Sequence, residues 1–324
     1  MKKLIALLLA TLMLTGALYG CGNAASENAS ADQSYYTVGI CQLVQHEALD
    51  AATKGFKDAL IAELGDQVKF DEQNASGDPA NCTTIVNGFV ANKVDLIMAN
   101  ATPALLAASA ATADIPILGT SVTDYASALE IDGWTGTVGT NVSGTSDLAP
   151  LDQQATMVAE LFPDAKNVGI LYCSAEANSQ YQVDVITGYL QDMGLTVTPF
   201  SFTDTNDVAS VAQLACESSD VIYIPTDNTA ASNTEAIANV VLPAKVPVIA
   251  GEAGLCNGCG VATLSLDYYD LGVATGKMAA KILKGEAKVS EMPIEYAPIV
   301  TKQYNVANCE ALGITVPEGY VPLG

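Results

Sequence analysis

The chain has no arginine. All thirteen basic residues are lysines, set against 36 aspartates and glutamates, and the formal charge is −23. Without a guanidinium there is no planar two-pronged clamp for carboxylates or phosphates. An anionic group of a ligand must be met by lysine, by hydroxyls and amides, or by backbone N–H groups at helix starts. Charge of this sign also repels nucleic acid and anionic lipid headgroups. Histidine is nearly absent, with His46 alone. No Gly-x-x-x-x-Gly-Lys-Ser/Thr loop is present to cradle a nucleotide, and no cofactor is implied.

Long apolar runs are also scarce. One, Leu4–Leu18, stands behind Lys2 and Lys3 in the charged-then-apolar layout of a secretory signal. It is short for a transmembrane helix. Leu18-Tyr19-Gly20-Cys21 resembles a lipobox, in which the cysteine is acylated and becomes the mature N-terminus. The expectation is a signal peptide over 1–20 and a lipidated, small and polar tether over 21–34. Ordinary cleavage near Gly20 or Ala25 is the alternative. Loss of Lys2 and Lys3 takes the charge from −23 to −25. No other segment reads as a membrane span, so the body is expected to be soluble, extracytoplasmic and held to the membrane only by lipid.

Seven cysteines follow Cys21, and an odd number cannot all pair within one chain. Cys256 and Cys259 could form a local disulfide or half a zinc site. With no second CxxC and no histidine-bearing partner motif, no metal is assigned.

The body repeats itself. Tyr36–Cys41 resembles Asn167–Tyr172, Val94–Ile97 resembles Ser219–Ile222, and Asp114–Leu118 resembles Lys245–Ile249, in the same order. Each is a continuous apolar run of the kind that parallel strands show when helices cover both faces. Helical patterns lie between them, at 46–64, 79–92, 103–112, 178–193, 206–217 and 229–242. This predicts an α/β fold of two Rossmann-like lobes with parallel sheets. Lobe one takes 35–147 plus about 264–290, and lobe two takes 148–263 plus about 291–324. Three crossings would make the hinge.

Ligands of open α/β sheets bind where strands end and loops enter helices. That rule nominates Gln42, Gln45 and His46, then Asn100 and Thr102, then Ser121, Thr123 and Asp124. In lobe two it nominates Ser174, Glu176, Asn178 and Ser179, then Thr226, Asp227, Asn228 and Thr229, and finally Glu252. None is a lysine, so the cleft suits a positive group, while hydroxyls and N–H groups can hold a carboxylate. An α-amino acid meets both conditions. Each hydroxyl or carboxylate can equally be a helix cap. Tyr125, Tyr268, Tyr269 and Trp134 are read as packing residues.

Val38-Gly39-Ile40 with His46–Asp50 and Lys54-Gly55-Phe56, Ala101-Thr102-Pro103, Gly144–Asp147, Asp227–Thr229 and Asp270–Met278 together resemble one family of ABC-transporter substrate-binding proteins. This is the group associated with tryptophan, tyrosine and phenylalanine uptake. The resemblance runs from about Tyr36 to Pro317. It implies a periplasmic-binding-protein fold of the first type, a monomer that holds an amino acid between its lobes and delivers it to a permease. By that analogy Thr102, Ser174, Asn178 and Ser179 bind the carboxylate, and Asp124 and Asp227 take the ammonium. The family's Thr-Asp-Pro is Thr123-Asp124-Tyr125 here. Two other functions fit parts of the sequence. A sensory receptor would use the same binding chemistry, and Cys41 with Cys173 suggests a two-thiol racemase.

Overall fold

In the computed structural model, residues 35–297 and 299–323 are described. The signal peptide, the tether and Cys21 fall outside them.

The first half begins β1 (Tyr36–Gln42), α1 (Glu47–Leu64), β2 (Val68–Asn74), α2 (Pro79–Asn92) and β3 (Leu96–Asn100). It continues through α3 (Thr102–Ala111), β4 (Ile117–Val122), α4 (Tyr125–Ala128) and β5 (Val142–Ser146). The second half runs α5 (Leu151–Leu161), β6 (Asn167–Cys173), α6 (Ala177–Asp192), β7 (Thr196–Phe202), α7 (Val208–Ser218) and β8 (Val221–Ile224). Next come α8 (Asn228–Ala231), α9 (Thr234–Ala244), β9 (Val248–Ala250), α10 (Ala253–Gly258) and β10 (Ala262–Ser265). The chain closes with α11 (Tyr268–Leu283), β11 (Glu295–Tyr296), β12 (Thr301–Tyr304), α12 (Val306–Leu312) and β13 (Val321–Pro322).

Two sheets result, ordered β11-β5-β4-β3-β1-β2 and β13-β12-β10-β9-β8-β6-β7. The repeated segments occupy equivalent strands, since β2-β1-β3-β4-β5 matches β7-β6-β8-β9-β10. Every pair is parallel except β10 with β12. Central strands such as β3 and β8 are buried along their whole length, whereas the outer β2 and β7 are largely exposed. That is the difference between a strand covered on two faces and one at a sheet edge. Each sheet carries an apolar core on both faces. One device recurs in both halves. Asp95 Oδ2 accepts Thr37 N–H at 2.6 Å, and Asp220 Oδ2 accepts Asn167 N–H at 2.8 Å, so an aspartate before the third strand fixes the first.

The chain passes between the sheets three times, after Ser146, after Ser265 and after Tyr296. Two expected positions shift. Residues 262–265 form β10 and stay in the second sheet, so that crossing falls after Ser265. Glu295–Tyr296 pairs with β5 in the first sheet, so the return expected near 291 comes only after Tyr296. A two-residue strand without an apolar run carries no periodicity to read. The helix expected over 229–242 is broken into α8 and α9 at Ser232-Asn233, where Asn233 Nδ2 donates to the Thr229 carbonyl at 2.8 Å.

Helix α11 packs along α1, far from it in sequence, and so belongs to lobe one. The seam is made of backbone. A Cβ on Gly272 would collide with the Ala52 carbonyl, and one on Gly276 would sit 2.6 Å from the Phe56 carbonyl oxygen. Neither obstacle is a side chain that could swing away. Gly272→Ala is expected to cost about 1–3 kcal/mol through helix separation. Urea unfolding should show a lower midpoint with the slope unchanged.

Candidate functional site

The carboxyl ends of β1, β3 and β4 face those of β6, β8 and β9, and the two rims touch. His46 Nε2 lies 3.2 Å from Asn228 Oδ1, and Asn257 Nδ2 donates to Glu47 Oε2 at 3.3 Å. Helix α4 packs on α6, and α1 on α10. At one side the rims enclose a cleft of about 240 Å³, lined by Gln45, His46 and Glu47 from lobe one and by Ser232, Glu252 and Asn257 from lobe two.

On the first rim, Asn100 ends β3 and donates through Nδ2 to the Leu49 carbonyl (2.8 Å) and Thr53 Oγ1 (2.9 Å). Thr53 Oγ1 donates to Gln42 Oε1 at 2.7 Å, and Gln42 Nε2 to Asp50 Oδ1 at 2.6 Å. This chain fixes the start of α1 against β1 and β3. Beside it stand two residues in the left-handed half of backbone space, Ala101 (φ 94°) and Ser121 (φ 54°). Non-glycine residues held there cost on the order of 1–3 kcal/mol each, and such strain gathers at ligand sites. Ala101 N–H donates to the Thr120 carbonyl at 3.0 Å, which places the strained turns side by side. The next hydroxyl on the first turn, Thr102 Oγ1, is buried without a partner among the described residues, and so is Ser121 Oγ.

Asp124 caps α4, its Oδ1 accepting Ser127 N–H at 2.7 Å. Among the described residues nothing donates to its other oxygen. It is half-buried and stands close enough to Tyr181 on α6 to raise that phenol's pKa, after burial. Tyr125, where the family pattern has proline, lies over Gly119 and Gly144 and donates to the Thr145 carbonyl at 3.0 Å. It is a packing residue, as expected.

The second rim is organised by Glu176, buried in the β6–α6 loop. Its Oε1 accepts Thr229 N–H (2.8 Å) and Oγ1–H (2.7 Å). Its Oε2 accepts Asn228 N–H (3.1 Å), Asn228 Nδ2 (2.6 Å) and Asn178 Nδ2 (3.1 Å). Five donors thus tie the start of α8 to the start of α6. Asp227 is likewise occupied, accepting Cys173 N–H (2.6 Å), Ser179 Oγ–H (2.8 Å) and Ala230 N–H (2.8 Å). Asn178 keeps its Oδ1 buried, with no partner among the described residues.

Buried acids dominate the electrostatics. Burial, then the nearby Glu176 charge, pushes Asp227 up to about 7, and burial alone leads in raising Glu252 to about 7. Burial raises Asp147 too. His46 moves the opposite way, because burial disfavours its charged form more than Asn228, Glu176, Asp50 and Glu47 favour it.

The sequence-nominated residues therefore divide. His46, Thr102, Asp124, Asn178 and Asn228 bring free or bridging polar atoms to the rims, with Gln45 beside them. Thr123 Oγ1 is turned to Asp147 (3.1 Å), Ser174 Oγ to the Phe202 carbonyl (3.2 Å), and Ser179 to Asp227. Glu252 caps α10 through Gly254 N–H (2.6 Å) and Leu255 N–H (2.5 Å). Asp147 was not nominated. It accepts Thr123 Oγ–H and the Tyr268 phenol (2.8 Å) and so ties the first crossing to the second. Its place in the Gly144–Asp147 motif was the available clue.

The two-thiol arrangement fails on geometry. Cys41 and Cys173 are both buried, but in the cores of different lobes, because each points from its strand toward covering helices. Burial raises the Cys173 thiol to about 11, and Cys41 is raised first by its hydrogen bond with Cys82, then by burial. Cys256 and Cys259 are free buried thiols, Cys259 turned back to the Leu255 carbonyl at 3.3 Å.

Comparison with known proteins points one way. Residues 37–321 match the family described as ABC transporter substrate binding protein. A "Tyrosine-binding protein" of Clostridioides difficile (strain R20291) is 36% identical over 302 residues, covering 90% of this chain and 87% of the relative. A solved domain from Streptococcus pneumonia in complex with L-Trp is 36% identical, with a TM-score of 0.84, over 89% of this chain and 100% of that one. The ligand-free, open structure of a substrate binding protein with adhesive properties from Clostridium difficile is 37% identical over 89% and 99%, with a TM-score of 0.68. At nearly equal identity the liganded structure superposes better, as expected for lobes in contact.

Proposed function

Because this chain belongs to the ABC transporter substrate-binding protein family, we propose that it captures an apolar, most favourably aromatic, amino acid between its lobes and passes it to an ABC permease. The observation that carries the reading is the set of buried polar atoms on both rims left without partners among the described residues: His46 Nδ1, Asn100 Oδ1, Thr102 Oγ1, Ser121 Oγ and Asn178 Oδ1. Leaving such atoms unpaired costs about 1–3 kcal/mol each, which a polar ligand head group relieves. In this reading Thr102, Ser121 and neighbouring N–H groups hold the carboxylate, and Asp124 takes the ammonium. Tyr181, close to Asp124, supplies a flat apolar face for the side chain. The L-Trp and tyrosine relatives support the aromatic preference. No helix among the described residues is long and apolar enough to cross a membrane, and we assign the attachment to a lipid on Cys21.

A thermal-shift screen of the mature protein against the amino acids and common sugars tests the ligand class. At a thousandfold excess over Kd the ligand adds about 4 kcal/mol of stability, so L-Trp or L-Tyr should raise Tm by several degrees. A shift with a sugar and with no amino acid would sink the assignment. The anchor is tested by the mass of the mature N-terminus, and an unmodified residue there would refute it.

A further inference from the structure

His46 has one ring nitrogen across the lobe boundary and the other buried without a partner. Its proton is placed by a chain of hydrogen bonds. Asn228 Nδ2 donates to Glu176 Oε2 at 2.6 Å, and Glu176, an acceptor only, fixes which end of the amide faces it. Asn228 therefore presents Oδ1 to His46, and Nε2 must carry the hydrogen that bridges the lobes. Nδ1 is then a bare lone pair. It does not serve the helix it precedes: His46 is the N-cap of α1, yet makes no side-chain cap bond.

We propose that His46 is the latch that reads the ligand: Nε2–H locks lobe one to Asn228 of lobe two, and Nδ1 accepts a hydrogen bond from an N–H or O–H donor of the bound amino acid. The proposal rests on the amino-acid reading above. Tight binding then requires the neutral ring. The charged and titratable groups around the imidazole are Glu47 and Asp50 on α1, Glu176 across the boundary, and Glu252, which lines the same cleft. In the closed form the imidazole pKa lies below its ordinary 6.5 because burial outweighs those carboxylates. The linkage sign follows. Affinity contributed by His46 is complete above about 6.5 and falls, at most tenfold per pH unit, as pH drops toward the lower closed-form value. Asp227 and Glu252, pushed up to about 7, act in the opposite sense, and a His46 variant separates the two.

The test uses tag-free mature protein, in which the single histidine gives one unambiguous pair of ¹⁵N imidazole signals, Nδ1 and Nε2. The expected spectrum at pH 8 is the Nε2–H tautomer, lost or broadened in Asn228→Ala. The Nδ1–H tautomer, or a spectrum and titration unaffected by Asn228→Ala, would overturn the latch. Calorimetry with L-Trp and L-Tyr from pH 5 to 8 supplies the second arm. His46→Ala should weaken binding at least tenfold at pH 8. His46→Gln offers an N–H donor and an oxygen acceptor in one neutral side chain, so it should restore most of the affinity and remove the loss below pH 6.5. Wild-type affinity in His46→Ala, or an unchanged acid loss in His46→Gln, refutes the ligand role. If wild type binds neither amino acid at any pH, the amino-acid reading fails, and the imidazole spectrum still decides the latch.

Discussion

Glu176→Ala should nearly abolish ligand binding and lower the stability of the protein by about 3–5 kcal/mol. The carboxylate accepts five hydrogen bonds, from Asn178, Asn228 and Thr229. Its removal leaves those donors facing one another in a buried loop cluster. An unsatisfied buried donor costs about 1–3 kcal/mol, and relaxation with water entry recovers only part of the total. Binding falls further than stability because Asn178 and Asn228 lose their orientation, and with them the second rim. A drop of more than a hundredfold in affinity is expected by calorimetry, alongside a lower urea midpoint. A variant that keeps wild-type affinity would show that lobe two's loops are held by other contacts.

Asp124→Asn should separate affinity from stability. Asparagine still caps α4 through its side-chain oxygen, so the ligand-free protein should melt within a degree or so of wild type. What it loses is the negative charge that the proposed binding mode sets against the ammonium. Removing one member of a buried, hydrogen-bonded charge pair at an interface costs about 2–4 kcal/mol, or roughly thirty- to a thousandfold in Kd. An analogue without the amino group, such as indole-3-propionate, provides the control. Wild type should prefer the amino acid strongly, and Asp124→Asn should not. Asp227→Asn should show the reverse pattern, with stability lost first, because three internal donors occupy that carboxylate. If Asp227→Asn instead erases the preference for the amino group while Asp124→Asn leaves it intact, the assignments exchange.

The contrast between these two aspartates marks how far the sequence could be read. Both follow a strand, both precede a helix, and both cap it. What distinguishes them is a partner about fifty residues away: Cys173 N–H and Ser179 reach Asp227, and among the described residues no equivalent reaches the second oxygen of Asp124. Local pattern cannot carry that information. The strands were legible for the opposite reason. Val221–Ile224 and Leu96–Asn100 are apolar because helices cover both sheet faces, so the three-dimensional cause is written into consecutive residues. Glu295–Tyr296 has no such imprint, and the third crossing was accordingly expected too early. The role of Glu176 lay between these cases. Its loop was nominated, but its hold on the far loop became visible only when β6 and β8 were adjacent.

The glycine-lined seam between α1 and α11 sets an order for biogenesis. Lobe one is encoded almost entirely before residue 147, yet the helix that closes its face over Phe56 and Leu60 ends at Leu283. A nascent chain halted anywhere between those points carries a first lobe with an uncovered apolar stripe. Such a chain is slow to settle and prone to associate, since its missing contacts are long-range. Lobe one therefore stays incomplete until more than four-fifths of the sequence has been made.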